Sequence, residues 1–198
     1  MERRLDYDKT TRKILARESI NYGIIYGNEK IVFIKVGADG SIRGYLDKYL
    51  RMAHRVHERI GATVICASNP YIECGHVEAD QSMIFEVASA GGFVDYEVYF
   101  AGVSDGGYHN LLLAQQMPQA RKLLGVNASL IDEDDFIENL HQIPYVEKIL
   151  VYGAEDDNEC VSALQALGCE KLKIVTVAGA DHDFTGMVNE FIALIDLI

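Results

Sequence analysis

Short apolar runs alternate along the chain with longer segments whose apolar residues recur at helical spacing. Residues 1–13 are polar and are expected to be loosely ordered. Residues 14–27 hold two short strand-like pieces, followed by a turn at Asn28-Glu29. Ile31–Val36 (IVFIKV) predicts a buried strand. A helix is expected over Arg43–Ile60, with Leu46, Leu50, Ala53, Val56 and Ile60 on one face and Gly61 as its left-handed terminus. Thr63–Ala67 predicts a strand, and a loop runs through Asn69-Pro70-Tyr71 to His76. A helix over Ala79–Ala90 stops at Gly91-Gly92. Glu97–Val103 is rich in β-branched and aromatic residues and predicts a strand; Gly107–Met117 predicts a helix ended by Pro118. Strands at Lys122–Asn127, Lys148–Gly153 and Lys173–Ala178 then alternate with helices at Asp132–Leu140, Asn158–Leu167 and Phe184–Leu197. This alternation predicts an α/β fold, a mostly parallel sheet with helices on both faces. No repeat or linker divides the sequence, so residues 1–198 read as a single domain.

Charge and cysteine usage narrow the function classes. A net charge of -12 argues against nucleic acid and anionic membrane surfaces, both of which need clustered Lys and Arg. No apolar run approaches the length of a membrane span. Cys66, Cys74, Cys160 and Cys169 are scattered, with no C-x-x-C pair, and read as reduced thiols. The charged start MERRLDYDKTTRK is unlike a secretory signal peptide. A cytoplasmic location is the expectation, and a homodimer is left open.

In sheets of this kind, sites collect at the carboxyl ends of the strands. Three such loops carry reactive side chains: Ser104 in Gly102-Val103-Ser104-Asp105-Gly106, Asp156 in Gly153-Ala154-Glu155-Asp156-Asp157, and His182 in Ala178-Gly179-Ala180-Asp181-His182-Asp183. A Ser on a sharp strand-to-helix turn needs Gly two residues away on either side, because side chains there would collide. A Ser hydroxyl is a weak nucleophile at neutral pH and needs a base, for which His is suited. That His in turn needs an acid to fix its tautomer and stabilise its charged form. Glu155 and Asp157 are rivals to Asp156, and Asp157 could equally cap the following helix.

The G-x-S-x-G turn between a strand and a helix, together with the chain order Ser104…Asp156…His182, resembles the α/β-hydrolase family over roughly residue 30 to the C-terminus. The G-A-E-D-D segment is similar to the family's G-x-x-D, which favours Asp156, and A-G-A-D-H-D-F is similar to its terminal His loop. The resemblance implies a serine hydrolase acting on an ester or thioester of a small acyl substrate, with no cofactor or metal. It also implies an oxyanion hole made by the backbone N–H of Asp105 and one from Gly37-Ala38-Asp39-Gly40-Ser41, where Ala38 is the first choice and Asp39 the second. Val36-Gly37 stands where the family often has His-Gly. A peptidase or acyltransferase with the same triad is an alternative, as is a weakly active or inactive binding protein of this fold.

Asn127 to Lys148 leaves only about twenty residues for a lid, so an open, shallow site is expected, bounded by the loops at 37–41, 69–76 and 130–143. Tyr71, Tyr108, Phe136 and Ile137 are candidates for its walls. His54 and His57 read as surface residues on a helix, and Asp181 and Asp183 as solvated. His109, just past the elbow, is a candidate to line the pocket. His76 and Cys74 do not complete a tetrahedral metal set.

Overall fold

The computed structural model describes residues 5–15, 18–70, 76–129, 133–156, 160–166 and 168–198. Eight strands, β1 (Lys9–Leu15), β2 (Glu18–Ile25), β3 (Asn28–Lys35), β4 (Ala62–Ala67), β5 (Glu97–Val103), β6 (Ala120–Val126), β7 (Glu147–Gly153) and β8 (Leu172–Val177), form one sheet. Its order is β1-β2-β4-β3-β5-β6-β7-β8; β1/β2 and β2/β4 are antiparallel and all other pairs parallel. The helices are α1 (Lys48–Ile60), α2 (His76–Gly91), α3 (Asp105–Gln115), α4 (Glu133–His141), α5 (Cys160–Ala166) and α6 (Val188–Ala193). A 3-10 turn at Tyr45–Asp47 precedes α1, and another at Leu194–Leu197 follows α6. Among the described residues, no helix is long and apolar enough to cross a membrane.

Every residue of β4 is buried, as expected of a central strand covered on both faces. One face packs Phe33, Phe100, Leu123 and Leu150 against apolar residues of α2, α3 and α4; the other packs Ile34, Val64, Leu124 and Val151 against α1 and α6. Between β6 and β7, the described residues form a single helix, α4, and no lid. The register pairs Lys35 with Gly102, Val103 with Val126 and Gly153 with Val177, so the loops that follow β3, β5, β6, β7 and β8 emerge along one edge.

Four expectations are corrected. Residues 9–13 belong to β1, whose alternating, half-polar sequence is that of an edge strand, and Lys13 of that strand bonds Ser82 and Glu86 of α2. The helix expected from Arg43 begins at Lys48, because Gly44, Leu46 and Asp47 are in the positive-φ region. The helix expected from Phe184 begins at Val188, because Phe184 and Gly186 have positive φ as well. The elbow helix starts two residues earlier than expected, at Asp105. Asp132, Asn158 and Leu167, where three helix ends were expected, lie outside the described residues.

Candidate active site

Ser104 sits between β5 and α3 with φ 52° and ψ -126°, a conformation that L-residues rarely adopt. Holding it there costs about 1–3 kcal/mol. The surroundings over-determine it. A Cβ at Gly102 would lie 2.3 Å from the Gly106 carbonyl oxygen, and one at Gly106 would lie 2.4 Å from the Lys35 carbonyl oxygen. Strand and helix can therefore close on each other only if both positions are glycine. The carbonyl of Ser104 accepts from Gly107 N–H at 2.8 Å and Ser129 N–H at 3.1 Å, while its own N–H donates to Val126 at 2.9 Å. The turn is thus pinned to β6 and to its own helix.

His182 faces Ser104 from the loop after β8. Its Nε2 lies 3.2 Å from Ser104 Oγ, and its Nδ1 lies 2.9 Å from Asp156 Oδ2. A carboxylate only accepts, so Nδ1 carries the proton, and Nε2 is left as the acceptor for the Ser104 hydroxyl. The imidazole is about half exposed, at 48%, whereas the Asp156 side chain is 15% exposed. Solvent reaches the His182 ring more readily than the Asp156 carboxylate. Asp157, the rival acid, lies outside the described residues.

Backbone bonds join the loops that carry Asp156 and His182. Ala154 N–H donates to Val177 at 2.9 Å and Glu155 N–H to Ala180 at 2.9 Å. Asp181 is more than solvated: its carboxylate accepts from Thr185 N–H at 2.8 Å and closes the turn just past His182. Backbone hydrogen bonds, that of Thr185 first, hold the Asp181 carboxyl below its ordinary range.

Asn127, predicted from the sequence only as the end of a strand, ties these pieces together. Its side-chain NH2 donates to the carbonyls of His182 at 2.7 Å and Asp181 at 3.3 Å, and its side-chain oxygen accepts from Gly153 N–H at 2.8 Å. Its φ of 43° turns the backbone at the end of β6. An Asn at a strand end on the site edge is the signal that could have found it, since Asn tolerates this backbone.

The loop after β3 lies against Ser104, with a Cβ at Gly37 standing 3.4 Å from Ser104 Cβ. Asp39 N–H is committed to the Asn69 carbonyl at 2.8 Å, which removes the second choice of oxyanion donor. Ala38 is exposed in the turn itself, and Asp105 opens α3.

His109 does not join this group. It lies in a buried cluster beneath the elbow, where Asp80 of α2 accepts from the Tyr22 hydroxyl at 2.7 Å and Lys35 Nζ at 2.7 Å, and His109 Nε2 stands 2.8 Å from the same carboxylate. Burial alone would push the Asp80 carboxyl up, but the Lys35 ammonium and the nearby His109 outweigh it and hold the group below its ordinary range. Burial pulls Lys35 and His109 down. His76 packs edge-on against His109, with ring centroids 5.6 Å apart, and burial lowers it to about 4. Its neighbour in sequence Cys74 and the wall candidate Tyr71 lie outside the described residues. Tyr108 stacks on Phe136, and Ile137 packs against the same core; Phe136 is itself buried. His54 and His57 are half-buried and bond the carbonyls of Asp6 and Ala62.

Comparison with solved structures agrees with this architecture. Est1E from Butyrivibrio proteoclasticus superposes with a TM-score of 0.69 at 13% identity, over 95% of this chain and 96% of that one. An alpha-beta serine hydrolase homologue from Coxiella burnetii gives 0.69 at 13%, over 98% of each. XC6422 from Xanthomonas campestris, described as an a/b serine hydrolase without lid, gives 0.63 at 13%, over 98% and 95%. The chain has the α/β-hydrolase fold. No protein-family model matches it, and no curated protein sequence does. In this sheet the carboxyl ends of β5, β7 and β8 open on one edge, with β6 between β5 and β7, and Ser104, Asp156 and His182 meet there.

Proposed function

We propose that the protein is a serine hydrolase that cleaves an ester or thioester through an acyl-enzyme. The observation that carries this is the continuous contact from Ser104 Oγ through the His182 ring to Asp156, at 3.2 and 2.9 Å. Ser104 Oγ attacks the carbonyl carbon as its proton passes to His182 Nε2. Asp156 holds the ring in the reactive tautomer and stabilises the imidazolium. The negative charge that forms on the carbonyl oxygen is met by the N–H groups of Asp105 and Ala38. When the tetrahedral species collapses, the bond to the leaving group breaks and His182 returns the proton to it. A water, deprotonated by the same Nε2, then attacks the acyl-enzyme; its collapse frees the acid and restores Ser104.

A thioesterase domain from the curacin biosynthetic pathway, similar in fold at a TM-score of 0.65 and 12% identity over 96% of this chain and 99% of that one, keeps thioesters within the proposal. The test is fluorophosphonate labelling followed by a panel of neutral esters and thioesters. Labelling and turnover that both vanish in Ser104→Ala support the reading. Wild-type rates in Ser104→Ala would place the nucleophile elsewhere.

A further inference from the structure

Beside the His182 loop lies a cavity of about 430 Å³, lined in part by Tyr45, Lys48, Asp183, Phe184, Val188 and Phe191. It sits between the start of α1, reached from the Ala38 loop, and the start of α6, reached from His182. Both segments are in backbone conformations that L-residues avoid: Leu46 and Asp47 on one side and Phe184 on the other have φ of 51°, 56° and 56°. Such strain persists only where the surroundings enforce it, and it collects at sites that clamp ligands.

Lys48 is the unusual member. Its ammonium stands 4.5 Å from the centre of the Phe191 ring and 5.2 Å from that of Tyr49. Among the described residues it makes no salt bridge. It opens a helix whose first turn holds no acidic residue, where a cation gains nothing from the helix dipole. Burial pulls its pKa down, against the attraction of Asp183. The ring faces hold the half-buried Lys48 ammonium at the wall of the cavity, where a ligand anion entering the cavity would meet it.

We propose that this cavity is a substrate subsite for an apolar or aromatic group ending in a carboxylate, with Lys48 as its counter-ion. The identification of the ligand as substrate rests on the hydrolase reading. Lys48 presents one cation, enough for a single carboxylate, and the exposed Asp183 weakens that attraction; a phosphate dianion calls for several donors, as an Arg fork supplies. Phe184 and Phe191, each 1% exposed, form the apolar floor, and the exposed Tyr45 forms a rim.

Two measurements test it. The first is equilibrium binding of 4-phenylbutyrate and its neutral isostere 4-phenylbutanamide to Ser104→Ala protein, which needs no chemistry. The carboxylate should bind at least tenfold tighter. Lys48→Met should bring the two to parity, Lys48→Arg should keep most of the difference, and Asp183→Asn should widen it several-fold. Equal affinities, or a difference untouched by Lys48→Met, overturn the subsite. The second is kcat/KM for 3-(4-acetoxyphenyl)propionate against its neutral amide. A tenfold preference, expressed in KM and lost in Lys48→Met, supports the substrate assignment; no preference overturns it. If neither ester turns over and fluorophosphonate does not label, the hydrolase reading falls, and the binding measurement still decides whether the cavity selects carboxylates.

Discussion

The side-chain amide of Asn127 donates to the backbone carbonyl of His182 at 2.7 Å, while its oxygen accepts from Gly153 N–H at 2.8 Å. One residue at the end of β6 therefore fixes the loop that carries His182 and the strand end that leads to Asp156. In the proposed reaction it is a positioning residue.

Asn127→Leu should strip the His182 and Asp181 carbonyls and the Gly153 N–H of these bonds. Each orphaned group costs about 1–3 kcal/mol, so urea denaturation should show a loss in that range or above. In the proposed reaction, kcat should fall on the order of 10²-fold with KM little changed, as displacement of a reacting group by about an ångström does. Fluorophosphonate labelling should slow in parallel, and labelling at the wild-type rate would remove the positioning role.

Asp156→Asn should leave the fold intact and lower kcat on the order of 10³–10⁴-fold, because an amide can hold the imidazole in the wrong tautomer. Double variants with Ser104→Ala should add little further loss, since members of one catalytic unit are non-additive. Additive losses would mean that Asp156 acts separately from Ser104.

Asp80→Ala should be the most destabilising change in the Asp80 cluster. It strands the Lys35 ammonium, whose side chain is 0% exposed, beside His109 and Tyr22. Removing one partner of a buried pair costs about 3–5 kcal/mol. A loss under about 1 kcal/mol in urea denaturation would show that water reaches Lys35.

His76 gives stability an acid-side slope. Its pKa is about 4 in the folded protein against an ordinary 6.5, so as pH falls the unfolded chain takes up the proton first. The contribution is whole above about 6.5 and is lost progressively down to about 4. His109, lowered by burial in the same cluster, adds a loss of the same sign. His76→Phe keeps the edge-on ring contact and removes one of the two titrations. Its melting temperature should fall less steeply than that of the wild type between pH 7 and 5, and parallel curves would refute the assignment.

Elements whose signals are local were legible in the sequence. The strand expected at Glu97–Val103 is β5 residue for residue, and Gly61 ends α1 with φ 68°. Ser104, Asp156 and His182 could be named because each follows an apolar strand at the edge where such loops gather. What escaped depends on partners far away in the chain. The polar segment at Lys9–Lys13 becomes a strand only when β2 pairs with it. Asp80 in HVEADQSMIFEV looks like a solvated helix residue until Tyr22, Lys35 and His109 converge on it. The late starts of α1 and α6 follow from left-handed backbone at Leu46, Asp47 and Phe184, which no propensity predicts.

The backbone at Ser104 also bears on how such a protein could decay. With φ 52° and ψ -126°, it occupies a region that glycine enters freely and serine does not. For folding alone, glycine is the better residue there; for attack on a carbonyl, only the hydroxyl serves. Ser104→Gly would thus relieve strain while removing the hydroxyl that the proposed reaction needs, a loss of function that gains stability rather than costing it.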